Sequence, residues 1–416
     1  MDRATRRAKA ASTLLVLGGL VTGFTASAKP PRAASPVTIS FHEAVALAWA
    51  HLPQRREFEA RQSVAAARAT SGSALFPNAP VLSGTYVNDR IAGSNYNYVT
   101  NQLEFSTPLW LPGQGSATLA TAQADGVAAT AALDAARLVF AAQLLDLASQ
   151  AVLASNTRDV SRRRLSTAQA LAVDLGHRFQ VGESSQSDAL AADADASSAG
   201  VALATADGQL GVALASLAAL TGSTAVPRLD MPPAVSGVDT LARHPRIAAA
   251  ERAVAAALAN ARLVRIGDRD SPELGLQGVN EKQPGSKWDT RFGVVFRLPF
   301  TSEARNAPLR AVADQATTQA EVQLAIARRE VLADIQRADA LLSASQRSAA
   351  AAERGAAELE KRRGQIERAW RLGEMPLIEV VRADSVTFDA VLARDKARTE
   401  LAAARIRMSL AEGVQP

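Results

Sequence analysis

The chain has 416 residues, with 46 lysines and arginines against 41 aspartates and glutamates, which gives a formal net charge of +5. It has no cysteine, and this excludes disulfides, thiolate metal sites and a lipid-modified N-terminal cysteine. Aromatic residues make up only 4% of this alanine-rich chain, so long and closely packed helices are favoured over a large globular core.

The first 28 residues have the pattern of a secretory signal peptide. Four basic side chains precede the apolar run 14–24, and Ala26-Ser27-Ala28 forms a small-residue cleavage site. Without residues 1–28 the chain carries 42 basic and 40 acidic side chains. This balance does not indicate a nucleic-acid partner, and we predict none. We also expect no later stretch to approach the roughly 18 to 20 apolar residues of a transmembrane helix.

Motifs of the mature chain recur after 191 residues. Three pairs of markers keep this offset: Phe105 and Phe296, Gly182 and Gly373, and Gly222 and Gly413. Residues 29–225 and 238–416 are therefore predicted to be two copies of one unit. The Pro-rich linker 226–237, which cannot continue a helix, joins them.

The first unit is predicted to contain helices on both sides of a β-hairpin. Ser40 and Glu43 form a capping box that starts a helix running to about Ala74. The segments that follow are a β-hairpin at about 80–109, a long helix at 113–175, a tip turn at 178–188 and a helix to 222. In the long helix Leu133, Phe140 and Leu147 recur every seven residues, with Leu144 beside them, which is typical of a coiled-coil seam.

The second unit repeats this order after its own first helix. Its segments are a β-hairpin at about 273–299, a long helix at 305–371, a tip turn at 370–379 and a helix to 412. Leu324, Val331, Ile335 and Leu342 are spaced by seven, four and seven residues. The spacing again predicts a coiled-coil seam.

The predicted strands alternate between apolar and polar side chains. The apolar set comprises Leu103, Phe105, Leu109, Phe292, Val294, Phe296 and Leu298. The polar set comprises Gln102, Glu104, Arg291 and Arg297. Alternation over about ten residues matches a membrane β-strand, so we predict that the apolar set faces lipid and the polar set faces a barrel lumen. The alternative is the edge of a soluble sandwich, but two equivalent hairpins without a second core to cover them favour lipid.

Four strands do not close a barrel, and open strand edges are not tolerated in lipid because their backbone groups would lack partners. The chain is therefore predicted to oligomerise. Two chains would give eight strands around a filled interior, whereas three chains would give twelve strands around an aqueous lumen.

With these features the whole mature chain resembles the TolC family of outer-membrane efflux ducts. The motifs are the turns 178–188 and 370–380, which are similar to the family's aromatic-x-x-Gly-Glu turn followed by an acidic helix start. The resemblance implies a mainly α fold with a small β part. It also implies a tandem-repeat protomer of long coiled-coil helices plus four strands. Three protomers would form a 12-stranded outer-membrane β-barrel continued by a periplasmic α-barrel.

The resemblance further implies partners and a location. The expected assembly is a homotrimer in the outer-membrane lipid of a Gram-negative bacterium, with most of its mass in the periplasm. A periplasmic adaptor (membrane fusion) protein and an inner-membrane pump of the resistance-nodulation-division type would work with it, and no cofactor is expected. The residues assigned to adaptor docking are Arg178, Phe179, Gly182, Glu183, Trp370, Gly373 and Glu374. Ala369 stands where Arg178 stands in the first unit, so a second arginine contact is not implied.

Three charged residues beyond the turns are candidates for a periplasmic gate. Asp188 and Glu379 each lie six residues after their turn glycine, and Arg382 follows one helical turn later. A carboxylate at a helix start is also commonplace, because it complements the helix dipole. In a threefold assembly, however, both would form rings, and carboxylate rings act as cation-selective constrictions. Both interpretations remain open at this stage, and Arg382 is expected to pair with Glu379.

The exported substrate is predicted only as a class, metal cations or small toxic compounds. The segments 109–114 and 298–306 are similar to those of the heavy-metal-resistance branch of the family, which favours metal ions. The second segment departs from the branch at Thr301-Ser302-Glu303.

Signatures of enzymes are absent from the sequence. His42-Glu43 begins like a zinc protease motif, but position 46 is Ala rather than the second histidine. The four histidines are far apart, and we predict surface or helix-end positions for them, no metal site and no catalytic site. Two other classes stay open, a periplasmic adaptor and a soluble coiled-coil scaffold.

Overall fold

A computed structural model describes residues 39–90, 93, 96–230, 241 and 243–416. The predicted signal peptide and most of the predicted linker lie outside the described residues. The elements in chain order are β1 (Ile39–Ser40), α1 (Phe41–His51), α2 (Gln54–Gly72), β2 (Val81–Asn88), β3 (Val99–Pro108), α3 (Gln114–Gln180), α4 (Gln186–Thr221), β4 (Pro227–Arg228), α5 (Pro245–Ile266), β5 (Glu273–Lys282), β6 (Asp289–Arg297), α6 (Glu303–Arg371) and α7 (Leu377–Ala411). The predicted fold class, mainly helical with a small β part, is confirmed.

The first helix begins at a complete capping box but ends earlier than predicted. The hydroxyl of Ser40 accepts a hydrogen bond from the Glu43 N–H at 3.1 Å, and the Glu43 carboxylate accepts one from the Ser40 N–H at 2.8 Å. The single helix predicted to reach Ala74 is wrong, because the chain leaves helical geometry at Leu52 and resumes after Pro53. Proline lacks an N–H and disfavours the helical region for the residue before it.

The four longer strands form one antiparallel sheet in the order β2-β3-β5-β6. The two hairpins join through β3 and β5, where Leu103 lies opposite Gly278 and Phe105 lies opposite Leu276. Strands β2 and β6 are therefore the outer strands of the sheet. The short strands β1 and β4 pair in parallel, which brings the start of α1 beside the beginning of the predicted linker.

The helices pack side by side in rows below this sheet. In the half nearer the sheet the order is α2, α3, α5, α6, and in the half away from it the order is α4, α3, α7, α6. Helices α3 and α6 have 67 and 69 residues, so each is about 100 Å long at 1.5 Å per residue. They run through both halves and separate the sheet from the two turns at the opposite end.

The main apolar core lies where α1, α3, α4 and α7 meet. Phe41, Leu144, Leu145, Leu217 and Ile406 are its largest fully buried side chains. Helix α1, together with Ile39 of β1 and Leu229 after β4, adds a second layer here, in the middle of the molecule.

The coiled-coil seam of α6 uses smaller residues than predicted. Of the predicted seam residues, Phe140, Leu144 and Val331 are buried, whereas the others are only partly buried: Leu133, Leu147, Leu324, Ile335 and Leu342. In α6 the buried heptad series is Val331, Ala338 and Ser345. The seven-residue step is present, but small side chains occupy the contact, because they let the helix axes approach more closely than leucines do.

Two helices contain stretches that are long and apolar enough to cross a membrane, judged by length and composition only. They lie in α3 and α4, so the expectation that no such stretch follows the signal is wrong. Of the apolar window in α3, 44% is buried, but of that in α4 only 11% is buried. Helix α4 is at the end of its row, and this position leaves Leu190, Val201 and Val212 exposed.

Candidate functional site

The two turns between paired helices have the same backbone geometry. Gly182 and Gly373 both have φ of +79°, a conformation that residues with a Cβ adopt at a cost. In the first turn the N–H of Glu183 donates to the Arg178 carbonyl at 2.7 Å. In the second, the N–H of Glu374 donates to the Ala369 carbonyl at 2.9 Å. These bonds close Schellman motifs, which satisfy the last carbonyls of α3 and α6.

The turns themselves are shorter than predicted. Helix α3 continues to Gln180, five residues beyond the predicted end of the long helix, and α4 begins at Gln186. The second turn lies between Arg371 and Leu377. Each long helix therefore ends two residues before a glycine with positive φ, Gly182 or Gly373.

Equivalent aromatic residues of the two turns lie in different surroundings. Phe179 is 44% exposed, whereas Trp370 packs against two small apolar clusters of the tip, one around Leu175 and Leu377 and one around Ile366. The Arg178 guanidinium lies 5.1 Å from the centre of the Trp370 ring. A cation over the face of an indole is attracted by the ring quadrupole.

Arg178 therefore links the two units instead of acting within one turn. Its Nε also lies 3.0 Å from the Asp174 carboxylate, one helical turn back on α3. Ala369, at the equivalent position in the second unit, offers no such side chain. The arginine contact thus occurs once in each chain and joins α3 to the end of α6.

The gate candidates lie at the first turns of α4 and α7. Ser185 caps α4, and its hydroxyl donates to the Asp188 carboxylate at 2.8 Å while accepting from the Asp188 N–H at 3.1 Å. Glu379 forms an ion pair with Arg382, as expected from their spacing. The side chain of Arg382 is 63% exposed and that of Glu379 is 28% exposed. Both carboxylates complement a helix N-terminus. Among the described residues Asp188 has no ion-pair partner, whereas Glu379 has Arg382.

Sequence reasoning missed one largely buried carboxylate near the tip, that of Asp384 on α7. Its side chain is 13% exposed and pairs with Arg363 of α6. Burial raises the pKa of Asp384 above its ordinary value, although the Arg363 guanidinium opposes this shift. The sequence signal for it is weak: Asp384 is an acidic residue at a position of α7 that the seven-residue spacing of the seam turns towards α6.

The sheet at the other end of the molecule has two chemically distinct faces. Directly opposite residues of neighbouring strands share a face, so the pairing assigns each predicted residue. One face carries Leu103, Phe105, Phe292, Val294 and Phe296 together with Leu82, Tyr86, Leu274 and Leu276. These side chains are exposed, with Leu276 at 65% and Phe292 at 87%. Leu109 and Leu298 follow β3 and β6 by one residue and keep the same alternation.

The opposite face of the sheet is polar and partly ion-paired. It carries Gln102 and Glu104 from β3 and Arg291 and Arg297 from β6. Arg297 pairs with Glu273 at 2.5 Å, and Arg291 pairs with Glu281. The two predicted arginines therefore have carboxylate partners on β5.

The histidines lie apart from one another. His51 contacts the Leu47 carbonyl through Nδ1 at 2.9 Å, near the end of α1. His244 caps α5 and is buried, and this burial lowers its pKa. Within the described residues no group of three or more histidine, aspartate or glutamate side chains is placed to hold a metal ion.

No known family model and no curated protein matches the sequence. Solved structures do match it. The Campylobacter jejuni CmeC outer membrane channel has a TM-score of 0.71 at 17% identity, over 90% of this chain and 86% of that one. CusC, described in terms of folding and transmembrane channel formation, has a TM-score of 0.70 at 18% identity, over 91% and 93%. The open state of the Neisseria gonorrhoeae MtrE outer membrane channel has a TM-score of 0.68 at 16% identity, over 90% and 88%. These likenesses show that the chain has the protomer fold of such channels.

Proposed function

We propose that the chain is the protomer of a trimeric exit duct in the outer membrane of a Gram-negative bacterium. The sheet carries the proposal, because one of its faces is apolar and exposed while the other is polar. Such a sheet suits a barrel wall between lipid and water. The resemblance to TolC-family channels and the likeness to solved outer membrane channels support the same conclusion.

The assembly follows from the two open edges of the sheet. Strands β2 and β6 each expose an unpaired backbone edge in a single chain, and pairing β6 of one copy with β2 of the next would satisfy both. Three copies close a barrel of twelve strands around an aqueous lumen. Helix α4 would then bury its exposed apolar side chains against a neighbouring copy in the α-barrel.

The duct has no catalytic role in this proposal and acts as a passive conduit. The two turns of each chain give six tips at the end of the trimer that lies in the periplasm. Exposed residues there, including Phe179, Glu183 and Glu374, are the proposed contacts for a periplasmic adaptor protein. An inner-membrane pump of the resistance-nodulation-division type would supply the energy. Metal cations or small toxic compounds are the proposed cargo, favoured by the carboxylates Asp188 and Glu379 near the entrance.

The alternative classes fit the structure less well. A periplasmic adaptor would present one helical hairpin, but α3 with α4 and α6 with α7 form two equivalent hairpins in the described chain. In a soluble scaffold, a sheet face that exposes Leu276, Phe292 and Phe296 to water would be unfavourable and would promote aggregation.

The test is the partitioning and assembly of the protein with a charge placed on either face of β6. Phe296→Arg puts a cation on the apolar face and Val295→Arg puts one on the polar face, one residue away. In a barrel, Phe296→Arg should cost about 2 to 4 kcal/mol if the site is near mid-bilayer, and Val295→Arg much less. The readouts are trimer yield in detergent and the fraction recovered with the outer membrane.

Wild-type protein recovered as a monomer from the periplasm without detergent would contradict the duct and support a soluble scaffold. Equal trimer yields for the two variants would show that the apolar face does not meet lipid.

A further inference from the structure

A basic groove lies between α3 and the hairpin of α6 and α7, several turns away from the tips. Its cationic lining is Arg162 and Arg163 from α3, Arg363 from α6 and Arg394 from α7. The cavity has a volume of about 700 Å³, which is enough for a small organic molecule. Four arginines from three helices thus line one open space.

Two of these arginines have no anionic partner in the described chain. Arg363 pairs with Asp384, and Arg394 lies 3.1 Å from Asp395 and 3.3 Å from Glu360. Within the part of the chain that the structure describes, Arg162 and Arg163 form no ion pair. The Arg163 Nε donates only to the Asp159 carbonyl, at 3.3 Å. Most guanidinium donors on the α3 wall are therefore available to a ligand.

The groove also supplies hydroxyl groups and a fixed guanidinium. Ser166 and Thr167 line it one helical turn from Arg162 and Arg163. The Arg363 guanidinium lies 5.8 Å from the centre of the Phe388 ring, which restrains its orientation. Hydroxyls and guanidinium groups in one cavity are donors suited to oxygens that carry negative charge.

Most of these charges are absent from the other unit. The residues 191 positions from Arg162, Arg363 and Arg394 are Glu353, Ala172 and Leu203. The same helical hairpin therefore forms in the other unit without them. Only Arg163 has a basic equivalent, Arg354, and its Nε donates in the same way to the Ala350 carbonyl at 3.2 Å.

We propose that this groove binds small oxyanions, molecules that carry phosphate groups or several carboxylates. Arg162 and Arg163 would provide bidentate hydrogen bonds, for which the planar guanidinium is suited. Arg363 and Arg394 are held by their carboxylate partners. They would attract the anion through their positive electrostatic potential more than through direct hydrogen bonds. The site is separate from the gate and docking residues, and its binding does not depend on whether the chain is a duct.

The test measures binding of pyrophosphate and of citrate to the purified full-length protein by equilibrium dialysis at low and at physiological salt. The variant Arg162→Gln with Arg163→Gln removes the two unpaired cations. Each charge-assisted hydrogen bond lost should weaken binding by about tenfold or more, since such bonds contribute about 1.5 to 3 kcal/mol. The pair Arg347→Gln with Arg354→Gln is the matched control, because it removes the same charge from exposed positions of α6.

The proposal expects saturable binding by the wild type and the control, and a loss in the groove variant with an unchanged helical content. Binding of one probe only would assign the site to phosphates or to carboxylates. Absence of saturable binding, or equal binding by the groove variant, would overturn the proposal. An acidic helical peptide that binds through Arg162 and Arg163 when neither small anion binds would overturn it too, in favour of a protein-docking surface.

Discussion

The two helical hairpins share a geometry but differ in the balance between packing of small side chains and ion pairs. In the first, α4 presents Ala192, Ala199 and Ala206 to α3, all of them buried and spaced by seven residues. In the second, ion pairs cross between α6 and α7: Glu353 with Arg398, Glu360 with Arg394, and Arg363 with Asp384. Two ion pairs cross the first hairpin as well, Arg158 with Asp207 at 3.2 Å and Arg164 with Asp195 at 3.6 Å. The first hairpin thus combines a row of buried alanines with two ion pairs, and the second has three.

The difference teaches which perturbations each hairpin should resist. Close contact between alanines leaves no room for a larger side chain, and it is insensitive to salt. Ion pairs near the surface contribute little apiece and are screened by salt. Ionic strength and pH should therefore act on both hairpins but more on the second, and changes of side-chain volume should act most on the first.

The largest expected effect is that of a larger residue in the alanine seam. Ala199→Leu should destabilise the first hairpin by about 1 to 3 kcal/mol, because the added methylenes must force the helices apart. Ala390→Leu, at the equivalent position 191 residues later, is the control, since Ala390 is only partly buried. Amide hydrogen exchange of α3 and α4 in the assembled protein measures the effect. Equal protection in the two variants would contradict a tighter first seam.

Next in size are changes at the turn glycines. Gly373→Val and Gly182→Val should each strain the turn by about 1 to 2 kcal/mol, because φ is +79° in both. Gly182→Val should lose less adaptor binding than Gly373→Val. The reason is that Phe179, near Gly182, is more exposed than Trp370 and takes less part in the packing of the tip. Adaptor capture is measured alongside trimer content. Gly364→Ala, in the helical part of α6 with open space around it, is the control and should bind normally.

Smaller effects are expected from the charges at the two helix starts. Asp188 is held by a hydroxyl, whereas Glu379 is paired with the Arg382 guanidinium. If both form rings in a trimer, Asp188→Asn should reduce cation selectivity and block by multivalent cations more than Glu379→Gln does. Arg382→Ala should increase both, because it exposes the Glu379 charge. Planar-bilayer recordings test this, and unchanged currents in all three variants would leave these residues as ordinary helix-start charges.

The smallest expected effect is a pH dependence of stability that has opposite signs at two ion pairs of the second hairpin. Burial raises the pKa of Asp384, so folding favours its protonated form and its contribution to stability should increase as pH falls through the folded-state pKa. The Arg398 guanidinium lowers the pKa of Glu353, so its contribution is present above the unfolded-state pKa and lost as pH falls through the folded one. Hydrogen exchange of α6 and α7 against pH, with Asp384→Asn and Glu353→Gln, separates the two. Parallel pH profiles for the variants would contradict the assignment.

Many features of the fold could be predicted from the sequence, because the signals for them lie within a few residues of one another. The capping residues Ser40 and Glu43, the turn glycines and the period of two in the strands each act over a few residues. The seven-residue step of the seams is local as well, but the residues that fill it are not. Leu324 and Leu342 have the predicted spacing along α6, yet Ala338 and Ser345 are buried instead. The distance between the helix axes decides which series of residues along the helix makes the contact.

The sequence by itself determined most of the helices and strands in their order and the chemical contrast between the two faces of β3 and β6, since these depend on backbone preferences and on the period of side chains. Only the tertiary structure decided that Arg178 of one unit lies over Trp370 of the other, that Asp384 is largely buried beside Arg363, and that Arg162 and Arg163 share a groove with Arg394. These contacts join residues 21 to more than 200 positions apart in the sequence. They depend on how each helix is rotated and shifted along its axis relative to its neighbours, and only the packing of the helices fixes this.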